Sequence, residues 1–163
     1  MKPMLATLAT VLALGIPAHR AFAALDGLAD GAPRVVFTPA FLLDVARQDA
    51  RAASVLLGVQ QVSSDPQWAG RMTNFTVLGV TYEDVADAIL NGTPETRRRP
   101  NGRHARDETS LAVKADGTAE LTIEQFDGPV NMPDLSRKAG TVRVFLERAS
   151  GGTYVGRTFQ LLK

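Results

Sequence analysis

The stretch ETSLAVKADGTAELTIEQF, residues 108–126, constrains the fold more than any other. Two runs of alternating apolar and polar residues flank Ala115-Asp116-Gly117, the pattern of an antiparallel hairpin. The first run carries Thr109, Leu111 and Val113 on one face, and the second carries Ala119, Leu121 and Ile123. A two-residue Asp-Gly loop sets Val113 opposite Glu120 and Leu111 opposite Thr122, which turns a carboxylate into the apolar face. A three-residue loop sets Val113 opposite Ala119 and Leu111 opposite Leu121. Register therefore selects the longer loop, a type I turn closed by Gly117 in the left-handed conformation. Glu108, Glu120 and Glu124 then fall on the outer face. Such a hairpin buries one face only, so the rest of the chain has to supply its cover.

Two candidate helices precede the hairpin in the chain. In TPAFLLDVARQDARAASVLL, Thr38 caps, Pro39 takes the first helical position where its missing N–H costs nothing, and Phe41, Leu42, Val45 and Ala46 share a face, predicting a helix over about 39–53. In TYEDVADAILNG, Thr81 and Asp84 form a capping-box-like start, Val85, Ala88 and Ile89 make the apolar stripe, and Gly92 supplies the left-handed end. Strands are expected at RVVF (34–37), at RMTNFTVLGV (71–80) with apolar groups on both faces as in a central strand, and at 140–148 and 153–162 around Ser150-Gly151-Gly152. SVLLGVQQV (54–62) reads either as a continued helix or as a strand, and its valines and Gly58 favour strand. Leu25 and Leu28 are spaced for a single helical turn, and 127–139, with Pro129 and Pro133, reads as a loop. The sum is an α+β domain, mostly antiparallel β, with about seven strands and two short helices.

The N-terminus has Lys2, an apolar run of about 15 residues from Met4 and a small-x-small site at Ala21-Phe22-Ala23, the three parts of a secretory signal peptide. The run is shorter than the roughly 20 residues a spanning helix needs. We expect a signal peptide over 1–23 and one domain over 24–163, with no membrane span after cleavage and a periplasmic or secreted bacterial location. Taking Lys2 and Arg20 from the 18 basic residues leaves 16 against 17 acidic ones, so the formal charge passes from +1 to −1. A near-neutral domain has little general attraction for nucleic acid. The chain has no cysteine, which excludes thiol catalysis, disulfides and Cys-based zinc sites.

The densest charge lies just before the hairpin. Arg97, Arg98, Arg99, Arg103 and Arg106 crowd around His104, the only histidine left after cleavage. Guanidinium groups pair bidentately with phosphates, sulfates and carboxylates, so these six residues are the candidate site for a protein or an anionic envelope component. Pro94, Pro100 and Asn101-Gly102 place them in a loop, where a charge run is also simply solvated. A lone histidine among cations is poorly placed for a catalytic triad. No calcium-loop pattern, phosphate loop or nucleophile elbow occurs, so neither metal nor cofactor is expected. Glu83, Asp84 and Asp87 cluster, but at a helix start, where the dipole alone favours acidic residues.

From about residue 24 the layout resembles the VirK family of small exported bacterial proteins. The residues that carry the resemblance are LDGLADGAPRVVF and then RPNGRHARDETSLAVKADGTAELTIEQF, similar to that family's double-turn hairpin, PDG…V…DGT…T…F. This sequence departs from the family in lacking its cysteines and in residues 39–65. The resemblance implies export and no catalytic residues. The expected function is a non-enzymatic binding protein of the envelope or secreted fraction, linked to virulence or host association. The alternatives are a small hydrolase using the clustered carboxylates, or a β-structure holding a lipid or small ligand.

Overall fold

A computed structural model describes residues 33–68, 73–92, 104–128 and 137–163, together with the two-residue strands Phe22–Ala23 and Leu25–Asp26. Leu25 is extended rather than part of a helical turn, and Asp127 and 137–139, expected in a loop, are strand; residues 1–21, Leu28 and 129–136 lie outside the described residues. The remaining elements are β1 (Arg34–Val36), α1 (Pro39–Gln48), α2 (Ala50–Val62), β2 (Thr73–Leu78), α3 (Tyr82–Asn91), β3 (His104–Val113), β4 (Thr118–Asp127), β5 (Arg137–Arg148) and β6 (Thr153–Leu162). The α+β class holds. Three helices and a sheet of six strands replace the expected two and about seven, among the described residues.

Strands β2 to β6 form an antiparallel meander, and the three-residue β1 adds to β6 in parallel, giving the order β1-β6-β5-β4-β3-β2. The hairpin register is the one that the alternation selects: Val113 pairs with Ala119 and Leu111 with Leu121. Lys114 N–H bonds Thr118 O at 2.9 Å, leaving Ala115-Asp116-Gly117 as the loop, with Gly117 at φ +88°. On the covered face Ala119, Leu121, Ile123, Val142, Val144, Leu146 and Tyr154 pack with Phe41, Leu42, Val45, Ala52, Ala53, Val55, Leu56, Val59 and Val85 from the helices. The outer face is polar, with Glu120 near Lys114 and Arg143, and Glu124 near Lys138.

The segment 54–62 is helix, not strand. Asp49, in extended conformation, ends α1 and caps α2, its carboxylate accepting from Ala52 N–H at 3.0 Å. The apolar residues of α2 recur at helical spacing, with Ala52, Val55, Leu56 and Val59 all inward. Gly58 serves packing rather than a bulge: a Cβ there would lie 2.6 Å from Cε1 of Phe75 in β2. The end of α2 also protects a sheet edge. Gln60 Oε1 accepts from Phe37 N–H at 2.7 Å, and Ser63 Oγ accepts from Val35 N–H at 3.0 Å, so side chains take donors that an edge strand would leave open.

Strand β2 is an edge strand, not the central strand its apolar faces suggest. The chain leaves β1 at one edge, crosses the sheet through α1 and α2, and enters at the opposite edge. Its apolar character follows from the helical layer, since Phe75 packs on Gly58 of α2. Helix α3 starts with a complete capping box between Thr81 and Asp84 and ends at Gly92 with φ +68°. No helix among the described residues is long and apolar enough to cross a membrane.

Candidate functional site

Of the six residues expected to bind an anion or partner, Arg97, Arg98, Arg99 and Arg103 lie outside the described residues. His104 and Arg106 are not in a loop: β3 begins at His104, four residues before the hairpin pattern starts, because Leu78 to Thr73 of β2 pair along 104–109 and extend the strand. The side chain of His104 is not described. Arg106 points to the outer face, its guanidinium carbon 4.7 Å from the centre of the Phe126 ring across the strand pair. Its Nε lies 3.2 Å from Glu108 Oε2, close enough for charge attraction, yet it is buried without an aligned hydrogen bond. Stacking and ion pairing hold the group in one place.

The carboxylates of α3 have local duties. Asp84 is buried in the capping box, accepting from Thr81 N–H at 3.1 Å, and Asp87 accepts from the Asn91 side-chain amide at 2.7 Å. Glu83 is exposed. A hydrolytic site built on them has its most buried member already used as a cap.

Among the described residues a further cluster of ionisable groups lies where α2 starts over the ends of β3 and β4. Arg51, in the first turn of α2, donates through Nε and one terminal nitrogen to Asp107 Oδ1 at 2.9 and 2.6 Å. It also donates to Asp127 Oδ1 at 2.6 Å and to the Phe126 carbonyl at 2.7 Å. Asp107 is there because it shares the inward phase of Thr109 and Leu111, opposite Gln125 in the register. Beside it, the second Asp49 oxygen accepts from Gln125 Nε2 at 3.0 Å and from the Lys163 ammonium at 3.2 Å. Lys163 also approaches Gln125 Oε1 at 3.3 Å, over Gly140, where a Cβ would meet that oxygen at 3.2 Å. One guanidinium and one ammonium thus tie the break between α1 and α2 to three strands.

The cluster pushes its carboxylates apart. Burial drives the Asp107 carboxyl above its ordinary range; the hydrogen bonds and charge of Arg51 recover part of that, while Asp49 and Asp127 add repulsion. Burial acts against Asp49 as well, but Gln125, the Ala52 N–H and Lys163 together outweigh it and hold this carboxyl below the ordinary range. Arg51 sits above its usual value, burial being more than offset by Asp107 and then Asp127. Pairing therefore favours the cation more than it favours Asp107, because Arg51 has two carboxylates while Asp107 is sealed with Oδ2 unpaired. Sequence reading missed this cluster. The signal was present in the alternation: extending the inward phase of β3 by two residues reaches a carboxylate, and a buried carboxylate needs a cation from another element.

No protein-family model, curated protein or solved structure matches this chain. Among the described residues no group of three or more histidine or carboxylate side chains is placed to hold a metal ion.

Proposed function

We propose that the chain is an exported, non-enzymatic binding protein of the bacterial envelope or secreted fraction, of the kind its resemblance to the VirK family implies. It meets a protein or an anionic envelope component through the region where residues 97–106 join the sheet. The observation that supports this reading is the setting of Arg106. A guanidinium stacked on Phe126 and braced by Glu108, on the sheet face away from the helices, is a held cation beside an apolar ring. That combination suits anionic or aromatic groups on a partner. The buried ions around Arg51 join helix to sheet, and in this reading they hold the body that presents the surface.

The test replaces Arg97, Arg98 and Arg99 with Ala, and Arg106 with Gln in a second variant. Each is used to retain binding partners from envelope extract, and to bind vesicles with and without anionic lipid, at two salt concentrations. Salt-sensitive binding by the wild type, and weaker, less salt-sensitive binding by the arginine variants, with unchanged melting in the triple variant, is the expected result. Undiminished retention of every partner in both variants removes this region from the account.

A further inference from the structure

The buried cluster places three carboxylates, Asp49, Asp107 and Asp127, against two cations, Arg51 and Lys163. One negative charge is therefore in excess. It is least tolerable at Asp107, whose side chain is wholly buried, whereas Asp127 is 41% exposed and can lean on solvent. Oδ1 of Asp107 takes both Arg51 bonds, and Oδ2 is sealed without a hydrogen-bond partner. The groups facing Asp107 come from every side. Helix α2 gives Arg51, the α1–α2 break gives Asp49, β4 gives Gln125 and Asp127, and β2 gives Phe75 in register; Lys163, beyond β6, meets Asp49 and Gln125. A carboxylate with one sealed oxygen, repelled by the charges of Asp49 and Asp127, can be relieved by a proton.

We propose that Asp107 is a proton-binding site at the joint between α2 and the sheet, whose protonation as the surroundings acidify stabilises the folded chain. A proton on Oδ2 removes the excess charge while Oδ1 goes on accepting from Arg51. The direction follows from linkage. The folded chain takes this proton at a higher pH than the unfolded chain does, so stability grows as pH falls through the folded value and stops growing near the ordinary aspartate value of about 3.9. Asp49 works with the opposite sign and begins to give way below that ordinary value. The two together place greatest stability on the acid side of neutrality. Use of the site to sense external acidity rests on the proposed export; the site itself does not.

The experiment is a carbon-13 titration of the aspartate carboxyls in the purified chain, wild type and Asp127→Asn, read together with denaturant midpoints from about pH 7 down to about pH 4, the ordinary aspartate value. The Asp107 signal should titrate above the ordinary aspartate value of about 3.9. Asp127→Asn should move it downward, because a repelling charge leaves and Arg51 is freed for Asp107. The wild-type denaturant midpoint should rise as pH falls, and Asp107→Asn should flatten that rise. An Asp107 titration at or below the ordinary value, or one indifferent to Asp127→Asn, overturns the proposal. If Asp107→Asn does not fold, the titration of the Asp127→Asn chain decides alone. Because the purified chain is read directly, failure here leaves the export reading standing, and failure of export leaves this site standing.

Discussion

Replacing Gly58 with Ala sets two effects of similar size against each other. In the middle of α2, Ala is worth about 1 kcal/mol over Gly in helix propensity. The new methyl carbon, however, would lie 2.6 Å from Cε1 and 3.0 Å from Cδ1 of Phe75. Ordinary contact needs about an ångström more, and over-packing of this kind costs about 1–3 kcal/mol. The clash should win, leaving Gly58→Ala less stable by about 1 kcal/mol. For a domain of this size that is a melting temperature lower by about 3–4 °C. Phe75→Ala alone should cost about 3 kcal/mol, the low end for a phenylalanine, because the ring is half-buried. In that background the obstacle is gone and Gly58→Ala should become stabilising by about 1 kcal/mol. Thermal and denaturant unfolding of the four chains gives the coupling directly. If Gly58→Ala stabilises to the same extent with and without the Phe75 ring, the packing of α2 on β2 described above is wrong.

Three further outcomes are expected. Gly117→Val should destabilise by about 1 kcal/mol or more although no atom lies within 4 Å of the new Cβ, because the cost is the backbone at φ +88°; a silent change in denaturant midpoint would refute the three-residue loop. Asp49→Asn keeps a capping side chain but loses the charge that meets Lys163, so it should cost about 1 kcal/mol at neutral pH. The depressed Asp49 carboxyl contributes stability above its unfolded value and loses it as pH falls through the folded one, so the gap between wild type and variant should close below about pH 4 when unfolding is followed against pH. Finally, intact-mass measurement of the chain from an envelope or culture fraction should show cleavage after Ala23; a full-length cytosolic product would refute the export reading.

Local rules made much of this fold legible. The hairpin register follows from where Glu120 can be placed, and the caps at Thr38 and Thr81 follow from side chains that bond backbone within three residues. The reading failed where partners are distant. Residues 54–62 of α2 favour strand when their valines and Gly58 are weighed by propensity, while the deciding contact is Phe75 in another element. The edge position of β2 depends on a crossover through two helices, which no local pattern encodes. The buried ions are the extreme case: Arg51 and Asp107 are 56 residues apart, Arg51 and Asp127 76, and Asp49 and Lys163 114. Each taken singly looks like an ordinary surface charge. Only the alternation through Asp107 and Gln125 hinted otherwise.

Under the proposed function the charges of this chain divide in two: those around Arg51 hold the body together, and those at 97–106 would meet the partner. The Arg51→Met chain tests that division when unfolding free energy and partner retention are measured on one preparation. Removing Arg51 strips Asp107 of its cation and should cost about 3 kcal/mol or more, while the fraction still folded retains its partners as wild type does. A chain that keeps its stability and loses its partners would contradict the account, because the cluster around Arg51 would then be the binding site.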